Sequence, residues 1–568
     1  MASEKIMEKG IRQDYSKRRK GGFIALPFII ANEALEKVPS YALVPSMTLY
    51  LKSNYHLTIA AVHNLINHWQ AFSNFAPILG AFFADSFMGR FVTIGLGSIS
   101  SFLGVAILWL TTVIPQATPP PCDHLAQSCK SATAGQVAIL VAALFFKSIG
   151  AGGIRPCSMP FGVDQLSNKN EKILESYFSW YYAAASLGGS LGLTSVIYIL
   201  QMYGWMVGYG VCAILMFLAT VAFYIASPLY VKRKASTSLF TGFAQVLVVA
   251  YKNRNLPFPS KDSGYHHGKD SEITVPSEKL KFLNKACIIR NAEQEIGSDG
   301  LALDPWRVST VWKVEELKAL LKVIPIWSTG IVMAIAGSQH SFPVLQASSV
   351  NRHVLGGFEI PAASVTVFVY CTVVVWVVLY ERVIIPLASK IKGEQVYISV
   401  QLRMGIGLFL SVIALGLTAI VESARRRKAI QEGLLKNPIA VVNMSVIWLL
   451  PQHIVMGVAE AFSTLGYFEF YHREFPKTMS SIGNSLFFLA LAFAHILSSA
   501  LFNIVNKTTS RGGKPSWVAD NLNEARFDNY YWLLAGLSLV NLLYYIICSR
   551  SYGSTAEVID EGYESEEE

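Results

Sequence analysis

Charge is the first thing this chain is short of. Only 15% of its 568 residues are charged, against about 25% in a typical soluble domain. Hydrophobic residues make up 52%. Length alone would divide such a chain into several soluble domains, but the charge deficit argues for one large polytopic membrane unit. The seven cysteines show no metal-ligand spacing. No HExxH, P-loop or nucleophile elbow stands in a plausible context, which argues against an enzyme. No repeated pore element is visible, which argues against a channel. The opening "MASEKIMEKGIRQDYSKRRKGG" is polar and basic, without the pattern of a cleavable signal.

Apolar runs are abundant instead. About twelve stretches reach the length of roughly 20 residues that a bilayer crossing needs. Six lie at roughly 23–52, 59–85, 89–114, 136–159, 176–201 and 206–229. Six more lie at roughly 314–340, 362–389, 396–421, 441–468, 478–504 and 529–549. The expected organisation is a basic tail 1–22, a six-helix bundle 23–229, a polar loop 230–312, a second six-helix bundle 313–549 and an acidic tail 550–568. Within the loop, "TSLFTGFAQVLVVAYKNR" has helical apolar periodicity and basic flanks, which predicts a helix on the membrane surface. Two sets of six suggest duplication at the level of architecture.

Basic "SKRRK" before the first span and "VKRK" after the sixth place both segments in the cytosol. One loop disobeys. "ESARRRKAIQ", after span nine, falls outside by this count although it is strongly basic. Among the other loop residues, Cys122 and Cys129 are predicted outside, where a disulfide is permitted; two unpaired thiols are the alternative. Asn506-Lys-Thr508 is a glycosylation sequon between spans eleven and twelve. Thr93 follows Arg90 by three, a minimal basophilic kinase site.

Charges inside spans are costly, about 2.5–3.5 kcal/mol each on insertion scales, so they must face protein or water. "ANEALEKVPSY", residues 31–41, carries three: Glu33, Glu36 and Lys37. Spacings of three and four put them on one helix face. Two carboxylates beside one ammonium leave surplus negative charge, and their repulsion makes one a candidate proton carrier. The alternative is a static ion pair. Span four holds Lys147 and Arg155 around Gly150, Gly152 and Gly153, which allow close helix approach. Span ten holds Glu460. Arg155 and Glu460 are the pairing expected across the cavity, formed in one access state and broken in another; the alternatives are a static pair or an Arg155 that snorkels to the cytosolic surface. Lys147 has no evident partner. Span two carries His63, Asn64, Asn67 and His68, expected to hydrogen-bond between helices.

Several motifs then become specific. "GAFFADSFMGRF", residues 80–91, resembles the loop between spans two and three of the major facilitator superfamily, where Asp85, Gly89 and Arg90 would belong to a cytosolic latch. "NEALEK", residues 32–37, resembles the Glu-x-x-Glu-Arg signature of proton-coupled oligopeptide transporters. "GAGGIRPCSMPFGVDQ", "SYFSWYYAAASLGGSL", "PIWSTG", "FEIPAAS", "PQHIVMGVAEAF" and "EFPKTMSSIGNSLF" resemble the plant nitrate and peptide transporter family. "SDGLALDPWRV" and "SPLYVKR" look most like its first subfamily.

The resemblance covers about the whole chain. It implies an all-α membrane protein of twelve transmembrane helices in two six-helix halves, the major facilitator fold, working by alternating access on the proton gradient. It maps Glu33, Glu36 and Lys37 to proton coupling, and Arg155 with Glu460 to the bridge between halves. It implies low-affinity nitrate uptake across the plasma membrane. The alternatives are another small solute (peptide, hormone, chloride or specialised metabolite), an uncoupled uniporter, or a sensor that kept the fold. Expected partners are a small-molecule or anion substrate, protons and the bilayer, with no nucleic acid, cofactor or metal. Two departures stand out. Lys37 replaces the usual arginine and loses its planar fork. "VPSYALVPSM" lacks the aromatic pair of peptide-transporting relatives. Some nitrate carriers of the family appear to use a histidine in span seven. Gly337 stands at that position here, and His340, three residues on, is the candidate substitute or simply a polar residue at the outer mouth.

Overall fold

The computed structural model describes residues 21–120, 130–166, 171–232, 239–259, 264–267, 275–297, 300–354, 357–394, 398–475, 479–511 and 515–552. The acidic tail beyond 552, most of the basic N-terminal tail, and Cys122 and Cys129 lie outside these residues.

Twelve membrane-crossing helices come in two sets of six. The first set is α1 Leu26–Asn54, α2 Ile59–Phe83, α3 Arg90–Val113, α4 Ala134–Ile154, α5 Glu171–Leu191 and α6 Ile197–Ile225. The second is α7 Val311–Gly337, α8 Ala362–Lys392, α9 Val400–Gln431, α10 Leu450–Glu474, α11 Ser480–Thr509 and α12 Phe527–Tyr552. α5 runs on through a π turn at Gly192–Val196 into residues 197–203, and the sixth crossing, α6, is the part of Ile197–Ile225 beyond Gly204. The turn between the fifth and sixth crossings is a single left-handed residue, Gly204, at φ 81°. Only glycine adopts that conformation without steric cost. By length and apolarity alone, α1 and α2 do not qualify as spans. α1 carries three charges in its middle, and α2 is diluted by His63, Asn64, Asn67 and His68.

Each set builds its own core. Val38, Met47, Tyr50, Ile66, Leu144 and Tyr209 pack together from α1, α2, α4 and α6. Val314, Ile326, Met404, Leu408, Tyr467 and Tyr545 do so from α7, α9, α10 and α12. The outward faces remain apolar: Leu96, Leu103, Ile214 and Phe217 are exposed on the first set, and Val540, Leu543 and Ile547 on α12. Such a surface suits lipid and would be an aggregation liability in water. Small residues bring the backbones together. A Cβ on Gly80 of α2 would sit 1.9 Å from the Gly152 carbonyl oxygen of α4. One on Gly104 of α3 would sit 2.6 Å from the Lys147 amide nitrogen.

Several boundaries differ from the sequence expectation. The tenth span starts at Leu450 rather than near 441, because Val442–Ser445 is a short strand paired with Val350–Asn351. After Gly337 a separate short helix, Ser341–Ser348, follows α7. α9 runs ten residues past its expected end at 421, to Gln431. In the central loop, Leu239–Lys252 is the helix. Its Val246 and Val249 pack on Val314 and Leu317 of α7, while Leu247, Val248 and Tyr251 stay exposed.

The two sets meet along a seam at the outer end, the side on which α1 ends and α2 begins. Asn64 Nδ2 donates to Asn503 Oδ1 at 2.8 Å, and Ser499 Oγ donates to Asn64 Oδ1 at 2.7 Å. His495 Nδ1 lies 2.9 Å from Asn67 Oδ1. The His63 ring lies between Phe342 and Phe502, at 5.1 and 4.5 Å between centroids. Ser364 Oγ closes on the Leu193 carbonyl at 2.9 Å. With this seam joined, a cavity remains between the two sets.

Candidate functional site

That space is a central cavity of about 910 Å³ lined by both sets of helices. The first-set wall carries Glu33, Lys37, Lys147 and Arg155. The second-set wall carries one carboxylate, Glu460, with Tyr370 and Tyr467 nearby and His340 toward the closed end.

Helical spacing aligns the α1 charges as expected, but their partners change the balance. Lys37 Nζ is 2.9 Å from Glu33 Oε1 and 3.8 Å from Glu36 Oε2. Lys147 Nζ is 2.8 Å from Glu36 Oε1. The sequence left Lys147 without a partner and Glu36 in surplus; the structure joins the two across α1 and α4. Two carboxylates therefore meet two ammonium groups, and the expected surplus of negative charge is gone. Ser40 Oγ, one turn after Glu36, donates to Glu36 Oε1 at 2.5 Å. Lys147 Nζ also donates to Ser40 Oγ at 2.8 Å and to Ser101 Oγ at 3.0 Å; neither serine was singled out in the sequence, although the i,i+4 spacing of Ser40 from Glu36 was the available signal.

Arg155 and Glu460 do not pair in this state. Arg155 Nη1 donates to Asn74 Oδ1 at 3.2 Å, and no ion pair joins it to a carboxylate among the described residues. Glu460 makes no hydrogen bond or ion pair among them. A Cβ on Gly337 would lie 3.6 Å from Glu460 Oε1, so position 337 looks directly at that carboxylate. His340 lies one turn closer to the outer seam, where its ring is 5.5 Å from that of His495.

At the end of α2 away from the seam, Gly89 holds φ 77° between α2 and α3. Arg90 reaches Asp164 Oδ2 at 2.7 Å and Asp85 Oδ1 only at 3.9 Å. Arg90 thus ties the α2–α3 connection to the short helix Ser158–Gln165 within the first set. Burial raises the Asp85 carboxyl above its usual range, Arg90 lowers it and Asp164 raises it further. Thr93 is buried in the first turn of α3, with its hydroxyl donating to the Gly89 carbonyl at 3.0 Å, so a kinase could reach it only after that turn unwinds. Asn506 lies within the last turns of α11 rather than in a loop, because that helix runs to Thr509; the Thr508 hydroxyl donates to the Ile504 carbonyl at 2.8 Å.

In the basic segment that broke the topology rule, one arginine is held inside the protein. Arg425 is 0% exposed. It binds Glu422 through Nε and Nη2, Asn523 Oδ1 through Nη1 at 2.7 Å, and the Leu522 carbonyl at 2.9 Å. Gln346 Nε2 donates to the same Glu422 at 2.8 Å. No metal-binding group of His, Cys, Asp or Glu is present among the described residues.

The pattern of the POT family matches residues 91–518. The chain is 52% identical over 566 residues to Protein NRT1/ PTR FAMILY 1.2 of Arabidopsis thaliana, across 98% of this chain and 93% of that protein. It is 50% identical over 561 residues to Protein NRT1/ PTR FAMILY 1.1 of the same plant, across 97% and 95%. Among solved structures, an auto-inhibited POT family peptide transporter superposes with a TM-score of 0.69 at 18% identity, over 94% of this chain and 98% of that one. The POT family transporter PepTSo gives 0.67 at 18% identity, over 93% and 98%. The likeness to these two is one of fold, the twelve-helix major facilitator architecture.

Proposed function

This chain belongs to the POT family, and on that premise we propose that it brings nitrate into the cell together with protons, with low affinity, across the plasma membrane. The bundles 23–229 and 313–549 are the two moving halves. The observation that carries the reading is Arg155. It faces the cavity, holds only Asn74, and has no carboxylate bound to it among the described residues. A guanidinium in that position is a docking point for a planar oxyanion. The missing aromatic pair after Lys37 argues the same way, against a peptide. Proton coupling is supported by the Glu33, Glu36 and Lys37 cluster at the cavity wall, and by Glu460 opposite.

One observation favours a second reading. A cavity of about 910 Å³ lies in the range that holds drug-sized ligands, about 300–1,000 Å³. An organic anion, such as a hormone or specialised metabolite, would fill it better than a four-atom ion.

Uptake in oocytes with a panel of labelled solutes, at acidic and neutral external pH, separates the two. Isotopic nitrate should accumulate above water-injected controls, and more so at acidic pH. Nitrate uptake equal to controls beside clear uptake of a hormone or dipeptide would reject nitrate. Uptake equal at both pH values would reject proton coupling and leave a uniporter.

A further inference from the structure

We propose that the second set holds a water-binding chamber of its own, set behind Glu460 and apart from the solute's cavity, through which protons reach that carboxylate. Its use as a proton route rests on the proton-coupled reading above; the water site itself does not.

A space of about 110 Å³ lies between the end of α7 and helices α8, α9, α10 and α12. At roughly 30 Å³ per molecule it has room for about three waters. Helical spacing builds its walls. His453, Met456 and Glu460 recur on α10 at steps of three and four, and Leu415 and Thr418 lie three apart on α9, so each group shares one helix face. Tyr531 closes the space from α12. Gly337, His340, Thr366, Tyr370, Met456 and Glu460 line both this space and the central cavity, and so stand between the two. Thr418, Gln452, His453 and Tyr531 line only the smaller one.

Two buried atoms on its wall call for a partner. Gln452 is 3% exposed and His453 6%. Gln452 Oε1 and His453 Nε2 have no hydrogen-bond partner among the described residues. The other end of the Gln452 amide is taken: Nε2 donates to Gln346 Oε1 at 2.9 Å, and Gln346 Nε2 donates to Glu422 Oε2 at 2.8 Å. Burying a polar atom dry is unfavourable, and a polar space with two to four such partners is one that holds water. Gln452, His453 and Glu460 supply three. An anion would meet the Glu460 carboxylate, and no metal-binding group stands here among the described residues. From Gln452 to Glu460 is eight residues of α10, about 12 Å. Three waters make four hydrogen bonds of about 2.8 Å each, which is the length needed.

The groups around Glu460 leave that side to water. His340 faces it from the end of α7, Tyr370 from α8, Tyr531 from α12, and His453 and Tyr467 from its own helix. On α9, Glu422 and Arg425 lie one and two turns beyond Thr418 and are paired with each other. His495 of α11 and the first-set cations Lys37, Lys147 and Arg155 stand on the side of the central cavity. No ammonium or guanidinium lines the chamber among the described residues. A water beside Glu460 gives the carboxylate a proton and takes one from the next water along, so that O–H bonds break and form one for one. A solute in the central cavity does not block this path.

The test is radiolytic hydroxyl labelling of the purified full chain in isotopically labelled water, read residue by residue by mass spectrometry. Water itself is the probe, because radicals formed from a bound water mark the side chains beside it. Tyr530 and Tyr531 are an internal pair: both are buried, at 0% and 5% exposure, but only Tyr531 lines the chamber. Tyr531 should be labelled several-fold faster than Tyr530. Thr418→Leu, which fills the chamber, should bring Tyr531 down to the Tyr530 rate. In oocytes, uptake of the panel solute that wild type accumulates most should rise less on acidification in Thr418→Leu, at equal surface amounts. Tyr531 labelled no faster than Tyr530 in wild type overturns the inference, whatever the variant does. A Thr418→Leu protein that loses the Tyr531 label yet keeps the wild-type acid response overturns the proton route. If Thr418→Leu fails to reach the surface, Gln452→Leu/His453→Leu, which removes two of the water's partners, replaces it with the same expectations. If wild type itself ignores pH, proton coupling fails, while fast labelling of Tyr531 still establishes the water site.

Discussion

Glu460→Gln is expected to lower uptake on the order of a hundredfold without changing the amount of protein at the surface. The reason lies in the state that this structure does not occupy. With the outer seam joined, Arg155 rests on Asn74 and Glu460 stands alone on the facing wall. When the cytosolic mouth closes, these walls approach, and the guanidinium must either meet a carboxylate or be buried without one. Removing one partner of a buried ion pair costs about 3–5 kcal/mol, enough to leave the closed-mouth state nearly empty. The charge swap Arg155→Glu/Glu460→Arg should recover part of the uptake if the contact is direct. A fully active Glu460→Gln protein at normal surface levels would rule the gate out.

Arg425→Leu should be comparably damaging, but through folding. At about 1.5 Å per residue the 32 residues of α9 span roughly 48 Å, well beyond a hydrocarbon core of about 30 Å. Its basic end therefore stands clear of the membrane, packed against residues 515–526. Without Arg425, Glu422 keeps only the Gln346 amide in a buried site. The expected loss is about 3–5 kcal/mol, a large share of the 5–15 kcal/mol by which proteins are commonly stable. Surface biotinylation should show little protein, and what is purified should unfold at lower temperature. Arg425→Leu/Glu422→Leu should recover much of the loss, since replacing both partners leaves no stranded charge. An Arg425→Leu variant that expresses and unfolds like wild type would show that the network is dispensable.

The contrast between these two sites explains what could be read from the sequence. Glu33, Glu36, Lys37, Arg155 and Glu460 were visible because a charge within an apolar run is conspicuous and expensive. All but Glu36 line the cavity. Their partners were not visible. Whether Lys147 meets Glu36 depends on how closely α3 and α4 pack at Gly104 and Gly150, and on the tilt that carries α4 to α1. Neither is encoded in a local pattern. The conflict over the basic segment at Arg425 has a related reason. The topology rule counts charges in loops, but Arg425 sits on a helix that overruns the bilayer and is neutralised three residues away by Glu422. Gly204 shows a third limit. One left-handed residue turns the chain between the fifth and sixth crossings, where sequence reading expected a short loop. At the outer seam, Asn64 and Asn67 hydrogen-bond to another helix as expected, but that their partners lie on α11 is a tertiary fact, whereas His63 packs between Phe342 and Phe502 and His68 lies 2.6 Å from the Asn64 carbonyl of its own helix.

That seam is where alternating access is most open to test. If solute enters only when α2 and α11 part, holding them together should stop transport. Asn64 and Asn503 face each other with 2.8 Å between their side-chain atoms. Asn64→Cys/Asn503→Cys, joined by a short bifunctional thiol reagent with a cleavable link, should lose solute uptake on cross-linking and regain it on cleavage, while either single cysteine variant is unaffected by the reagent. A fully cross-linked protein that transports at the uncross-linked rate would contradict the account.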